Sequence, residues 1–394
     1  MSSKRVTSDQ GLNIPAAQYT NVDSMAHETI IVPSNTTPLW NTQVNVDIRE
    51  KNCLLHNLCL KFNVSAITGV TNAYYTPAWF WFHHIDLVVN GQTIDTIYGN
   101  QQFLQHQLFH IDEKRKFNNI TAGDYANIAQ RKALASTAND YYVPLWSFFK
   151  QTHMPLLYSK DDIQLRIFMD SAHNNIIRSP TAPPPIDSPS SNAVPEPLST
   201  FNSLQVLINV SKLENYDVNS RLKELTRTVQ SYQFNELRWG NYNISAGAAT
   251  SSIVLTSIVG PVSFLKFVVR PVGSIGDSYF NYLPIKDFAI LNAGSTNIVG
   301  GSAIPSAQAL YILNRDWTRG SYSTEANVYI YSFGASPVDT IHSGKIYNYY
   351  RFKGSEQLVL NFPTPLAQAV SVDIYAYVNS AVQLSSSHTK KITL

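Results

Sequence analysis

The sequence predicts an all-β chain folded as two tandem sandwiches of antiparallel strands, and three observations carry that reading. β-Branched and aromatic residues gather in short runs separated by Gly, Pro, Asn and Asp, the pattern of strands and tight turns. Helical periodicity is confined to two stretches that do not alternate with the strands, which argues against a parallel α/β sheet. The order of strand motifs in the first half recurs in the second, as expected of duplicated units.

The 394 residues accommodate two units at roughly 100 to 200 residues each. Residues 1–25 read as an amino-terminal arm; Met1–Gln10 is polar, carries Lys4 and Arg5 and lacks the apolar core of a signal peptide. The first unit, 26–215, has strands expected over Leu58–Ile67, Trp79–Asn90, Ile163–Met169 and Leu204–Val210. Two long loops, 92–140 and 171–200, interrupt it, and the first carries a helix over Gly99–Ile111. Arg178–Ser199, with Pro180, Pro183, Pro184, Pro185, Pro189, Pro195 and Pro197, reads as an exposed, extended insertion. The boundary falls near Asn215–Ser220. A helix is expected there over Val218–Val229, capped by Asp217 or Asn219, with Leu222, Leu225 and Val229 on one face. The second unit, 216–394, has strands expected over Phe264–Arg270, Val328–Phe333, Leu358–Phe362 and Val372–Val378.

Duplication is visible in three matched segments. His84–Gly91 corresponds to Lys286–Gly294, each a strand ending in Asn and Gly before a long connection. Val143–Phe148 corresponds to Val328–Phe333, and each is followed by a further strand, Asp162–Met169 and Gln357–Phe362. The order is the same in both halves.

Net charge is only +2 and charged residues make up 14%, against 44% hydrophobic, so the polar surface is built from Asn, Ser, Thr and Gln. That excludes a nucleic-acid groove, which needs clustered Lys and Arg. A weakly charged, aromatic-rich surface suits contact with other protein copies. No apolar run reaches a membrane span of roughly 18 residues; Ile253–Gly260 is among the longest. Cys53 and Cys59, on one strand, are expected on the same face about 20 Å apart, too far for a disulfide. A reducing compartment, the cytosol, is the expected site of folding.

Candidate chemistry is sparse. His83 and His84, with Asp86 beside them, are adjacent on a strand and so should point to opposite faces, which forbids joint metal ligation without a bend. His56 should likewise face away from Cys53 and Cys59, which read as small buried side chains. Asp161–Asp162 sits at a turn beside Lys160. No G-x-S-x-G elbow, phosphate-binding loop or H-E-x-x-H helix occurs, so no enzyme, cofactor or metal is expected. Five N-x-[ST] sequons begin at Asn35, Asn63, Asn119, Asn209 and Asn243, a number that so Asn- and Thr-rich a chain reaches by chance.

Taken in order, the motifs resemble the double jelly-roll major capsid proteins of nucleocytoplasmic large DNA viruses, virophages and Polinton-like viruses. His84–Asn100, containing Asn90-Gly91, resembles that family's strand-Gly-Gln-x-Ile-Asp-x-x-Tyr-Gly segment. Val143-Pro144-Leu145, the aromatics after it and Pro155-Leu156 are similar to its V-P-L-aromatic strand and P-L turn. Glu214–Gln230 resembles its inter-domain helix, and Gly260-Pro261-Val262 its H-P-V segment with Gly in place of His. Tyr331-Ser332-Phe333, Ser343-Gly344, Asn348 and Arg351 resemble its Y-S-F…S-G-x-x-N-F-S-R pattern, with one extra residue before Asn348 and Tyr349-Tyr350 replacing Phe-Ser. The final strand, Val372–Asn379, fits its Y-A-x-x-N ending.

The resemblance implies two tandem eight-stranded antiparallel jelly rolls with few short helices in loops. It implies a subunit that forms homotrimeric, pseudo-hexameric capsomers, which tile an icosahedral virion with minor capsid or penton proteins after assembly in host cytoplasm or nucleus. The amino-terminal arm would lie at the inner base, against an internal membrane or minor protein. The rival reading is a glycan-binding β-sandwich, either a lectin or a viral spike, with exposed aromatics as sugar platforms.

Overall fold

The computed structural model describes residues 5–7, 13–15, 27–50, 53–68, 73–109, 117, 119–123, 127–146, 155–156, 162–170, 177–178, 200–212, 230–274, 282–292, 298, 327–333, 349–384 and 389–393. β1 (Arg5–Thr7) pairs with β2 (Asn13–Pro15) in a short hairpin. The first unit follows with β3 (His27–Pro33), β4 (Gln43–Ile48), β5 (Cys53–Val64), β6 (Tyr74–Tyr75), β7 (Phe82–Val89), β8 (Gln92–Tyr98), β9 (Asn139–Leu145), β10 (Pro155–Leu156), β11 (Ile163–Met169), β12 (Ile177–Arg178) and β13 (Phe201–Lys212). Helices α1 (Gly99–Phe109) and α2 (Ile128–Ala135) lie between β8 and β9. The second unit comprises β14 (Gln230–Ile244), β15 (Thr250–Val254), β16 (Val259–Pro271), β17 (Asp287–Leu291), β18 (Tyr329–Ser332), β19 (Tyr350–Lys353), β20 (Gln357–Asn361), β21 (Val370–Leu384) and β22 (Thr389–Thr393).

Each unit is two antiparallel sheets face to face. In the first, one sheet runs β10-β5-β13-β3 with β9 also on β5, and the other runs β4-β11-β7-β8. In the second, β14-β21-β16-β18 carries β19 on β16 and β22 on β21, opposite β15-β20-β17. Exchanging β3, β13, β5 and β9 for β14, β21, β16 and β18, and β4, β11 and β7 for β15, β20 and β17, turns one pairing scheme into the other. β10 and β19 also agree, each pairing with the early part of its long central strand. The place of β8 is marked in the second unit by Ile298, whose N–H donates to the Ile290 carbonyl at 2.9 Å. The three segment pairs matched in the sequence are thus β7 with β17, β9 with β18, and β11 with β20.

Alternation explains the strands. On β11 every second residue, Ile163, Leu165, Ile167 and Met169, is buried, and β4 does the same with Val44, Val46 and Ile48. These meet Leu58, Leu60, Phe62 and Val64 of β5 and Leu204, Val206 and Ile208 of β13 in one core, the arrangement of a sandwich. Trp81 plugs it, 5.4 Å from Phe62 and 4.8 Å from Tyr141 between ring centres, with its indole N–H donating to the Thr76 carbonyl at 3.0 Å. In the second unit Val262, Leu265, Phe267 and Val269 face Phe288, Ile290, Leu358 and Leu360.

Four expectations change. The first loop does not begin at residue 92: Asn90 and Gly91, with φ of 50° and 79°, form a tight left-handed turn that sends the chain straight back as β8. The loop therefore spans 99–138, bounded by β8 and β9. Trp79 does not start a strand, because Ala78–Phe80 is a 3-10 turn and β7 begins at Phe82. Cys53 and Cys59 do not share a face. The ladder between β5 and β13 slips between Asn209 and Val210, leaving His56 as an extra residue, so the buried phase moves from Cys53 and Leu55 to Leu58 and Leu60. Neither cysteine is in a disulfide, and burial pushes the thiol of Cys59 up to about 12. The fourth concerns His83 and His84. The ladder between β7 and β11 pairs Phe168 with His84 and Met169 with Phe82, so His83 is the bulged residue and both imidazoles lie on the outer side.

The expected helix Val218–Val229 and the Pro-rich segment from 179 to 199 lie outside the described residues; at their margins Gln230 opens β14 and Ile177-Arg178 pairs with Tyr74-Tyr75. Among the described residues no helix is long and apolar enough to cross a membrane.

Candidate functional site between the two units

β16 and β21 are buried on both faces, unlike their counterparts β5 and β13. One face belongs to the second unit's own core; the other forms a third cluster of Phe264, Val268, Tyr282, Val328, Ile330, Tyr375 and Tyr377. What seals it comes from the first unit: Leu104 of α1 and Trp146, just past β9. α1 can start where it does only because residue 99 is glycine, since a Cβ there would lie 2.1 Å from the Trp79 carbonyl oxygen and 2.7 Å from that of Phe82.

α1 presents glutamines as well as Leu104 to this seam. Gln101 Nε2 donates to Tyr377 Oη at 2.5 Å and to Gln105, and Tyr377 Oη donates to Gln105 Oε1 at 2.8 Å. Gln102 clasps the Trp146 backbone in both directions, accepting from its N–H at 2.7 Å and donating to its carbonyl at 3.0 Å. Gln101, Gln102 and Gln105 are all buried, so these bonds meet most of the polar demands that would otherwise oppose the contact, with Gln105 Nε2 left without a hydrogen-bond partner among the described residues. The Tyr377 ring stacks on Phe264 at 4.0 Å, and burial raises its phenol above the ordinary value, opposed by the bond from Gln101.

Farther along the same face Asp373, fully buried, accepts from Arg270 Nε at 2.9 Å, Trp239 Nε1 at 3.1 Å and Asn241 Nδ2 at 2.6 Å. Lys266 lies between them and the α1 contact. Its side chain is fully buried, its Nζ has no hydrogen-bond partner among the described residues, and it sits 5.2 Å above the Tyr375 ring. Burial pulls its amine down to about 7.

At the edge, Trp239 of β14 meets Tyr98 at 5.1 Å and His83 at 5.6 Å, both from the first unit. The carboxy-terminal β22 closes the same edge. Lys391 Nζ pairs with Glu236 at 2.9 Å, the other oxygen of Glu236 accepts from Ser380 at 2.7 Å, and the Lys391 N–H donates to Gln92 Oε1 of β8 at 3.2 Å. The arrangement is mechanical: it fixes two sandwiches as one body. Among the described residues no group of three or more His, Cys, Asp or Glu is placed to hold a metal.

Of the described motif segments, the aromatic after Val143-Pro144-Leu145, Trp146, and Tyr375 of the final strand lie in this seam, and the other motif residues sit elsewhere. Asn90 and Gly91 form the β7–β8 turn, tied to β11 by the Asn90 N–H to the Asp162 carbonyl at 3.0 Å and by the Asp162 N–H to Asn90 Oδ1 at 3.1 Å. Val143, Pro144 and Leu145 pair with Leu60, Cys59 and Leu58 on β5. Ser332 pairs with Phe264, and Phe333 packs on Phe352 at 5.4 Å beside Tyr331 and Tyr350. Arg351 is exposed on β19. Ser343, Gly344 and Asn348 lie outside the described residues. Gln101, Gln105, Trp239, Lys266, Asp373 and Tyr377 were not singled out. Their signal was that apolar side chains occupy both phases of Val262–Val269, as Phe264 and Val268 on one and Val262, Leu265, Phe267 and Val269 on the other, which alternation on a one-sided sheet would not give.

No protein-family model matches the chain, and comparison with curated proteins finds no match. Solved structures do match. VP54 of the virus PBCV-1, in a structure fitted into a reconstruction of the virophage Sputnik, is 16% identical with a TM-score of 0.73, covering 93% of this chain and 96% of its own. The Faustovirus major capsid protein is 9% identical with a TM-score of 0.62, covering 92% and 91%. The mavirus major capsid protein is 11% identical with a TM-score of 0.51, covering 93% and 90%. The fold is the double jelly roll, all-β with few helices.

Proposed function

We propose that this chain is a major capsid protein, a structural subunit without turnover whose homotrimers form pseudo-hexameric capsomers in the icosahedral shell of a double-stranded DNA virus. The observation that carries the reading is the sealed seam: two rolls of equivalent topology are locked side by side, so one chain supplies two of six similar lobes about a threefold axis. Likeness over nine-tenths of the chain to capsid proteins of PBCV-1, Faustovirus and mavirus supports it. The weakly charged surface suits neighbouring copies as partners, with minor capsid or penton proteins at special positions. The chain belongs to the virion on this reading, assembled in host cytoplasm or nucleus with its amino-terminal arm toward an internal membrane.

Light scattering on the purified protein separates this from a glycan-binding sandwich. A stable species of three chains is expected, whereas a monomer retained on glycan columns would favour the rival. Deleting residues 1–15 without change in particle yield or membrane content would remove the role given to the arm.

A further inference from the structure

We propose that His83 and His84 form a binding site for a divalent transition-metal ion, Zn2+ or Ni2+, held by the two Nδ1 atoms with water in the remaining positions. Adjacent residues of a regular strand point apart, and the bulge at His83 removes that obstacle: the two Nδ1 atoms are 2.8 Å from each other. Two imidazole nitrogens at about 2.0–2.1 Å from one ion stand about 2.9–3.4 Å apart at right-angled or tetrahedral geometry. Only a few tenths of an ångström separate the pair from that spacing, and the proton now shared between the nitrogens is what an ion would displace.

The rings are already held. His84 stacks on Phe168 at 4.1 Å and 16°, while His83 stands edge-on to Trp239 at 5.6 Å and to Tyr98 at 6.2 Å. Ordering them on an ion therefore sacrifices little side-chain freedom. Asp86, on the same strand and accepting from Thr96 at 2.7 Å, adds negative charge nearby and is faced across the ladder by the cation Arg166 of β11; Tyr98 is the titratable neighbour on β8, and the rings packed on the pair from β11 and β14, Phe168 and Trp239, carry no charge. His83 is exposed, so an ion reaches the pair from solvent. Imidazole donors select zinc, nickel and copper over magnesium and calcium.

The test is calorimetric titration of tag-free, full-length protein with ZnCl2 and NiCl2, alongside H83A and H84A. One ion per chain is expected for the wild type, with Mg2+ giving no heat. Each single substitution should weaken binding by at least about tenfold, because the chelate becomes a single donor. Because His83 packs on Trp239 and Tyr98, thermal melting of each variant in metal-free buffer checks that it is folded before its affinity is compared. Equal affinity in wild type and H83A, or no uptake by the wild type up to about 1 mM, would overturn the proposal.

Discussion

The two rolls carry the same pair of central strands and use their outer faces in opposite ways. In the first roll that face is polar and wet: Lys61 pairs with Asp140 at 2.9 Å, with side chains 24% and 35% exposed. In the second the equivalent face is dry, and Arg270 pairs with Asp373 at the same 2.9 Å with exposures of 14% and 0%. Equal geometry in different surroundings teaches that the seam, not the barrel, decides what a side chain contributes. The second roll's interface is thus an aromatic face in which Asp373 is fully engaged by its three donors while the Lys266 amine is buried without a hydrogen-bond partner among the described residues.

The sharpest way to break that comparison is to remove one acid from each pair. Asp373→Ala leaves Arg270 buried without its carboxylate and should cost about 3–5 kcal/mol, whereas Asp140→Ala should cost less than about 1 kcal/mol. Urea unfolding of both variants measures the difference, and similar costs would remove the distinction.

Lys266 offers a second contrast, in pH. Its amine lies near 7 when folded against a usual 10.5, so the unfolded chain binds more protons between those values and the group costs stability increasingly as pH falls toward 7. Lys266→Met should therefore stabilise the protein on the order of 4 kcal/mol near pH 7 and progressively less as pH rises toward 10.5. Thermal melts of both proteins across that range check the sign; a constant difference would show that the amine does not titrate as its burial requires.

Tyr377→Phe strands the Gln101 and Gln105 side chains in the seam and should cost about 1–3 kcal/mol. Hydrogen exchange should then quicken in α1 and β21 before it does in β5 and β13. A smaller effect than that of Asp373→Ala or Lys266→Met belongs to the first roll's β7–β8 turn, where Gly91→Ala forces a side chain into a left-handed conformation at about 1–2 kcal/mol, although nothing lies within 4 Å of the added Cβ.

How much of this was legible in the sequence depends on the range of the interaction. Alternation is local, so β11 was read to the residue as Ile163–Met169, and the correspondences of β7 with β17, β9 with β18 and β11 with β20 followed from strand order. The bulges at His56 and His83 were not readable, because one extra residue inverts facing without altering composition. Asn90-Gly91 was noticed and misread as the end of a strand before a loop, although Asn-Gly is the strongest short hairpin signal. The seam escaped because its partners are remote: Gln101 and Tyr377 stand 276 residues apart, and nothing near either names the other.

The central claim is that two locked rolls form one third of a pseudo-hexagonal building block. Two-dimensional averages of the purified protein by electron microscopy test it directly. The account predicts a six-lobed ring with threefold symmetry and a mass of three chains; isolated two-lobed particles at every concentration would contradict it.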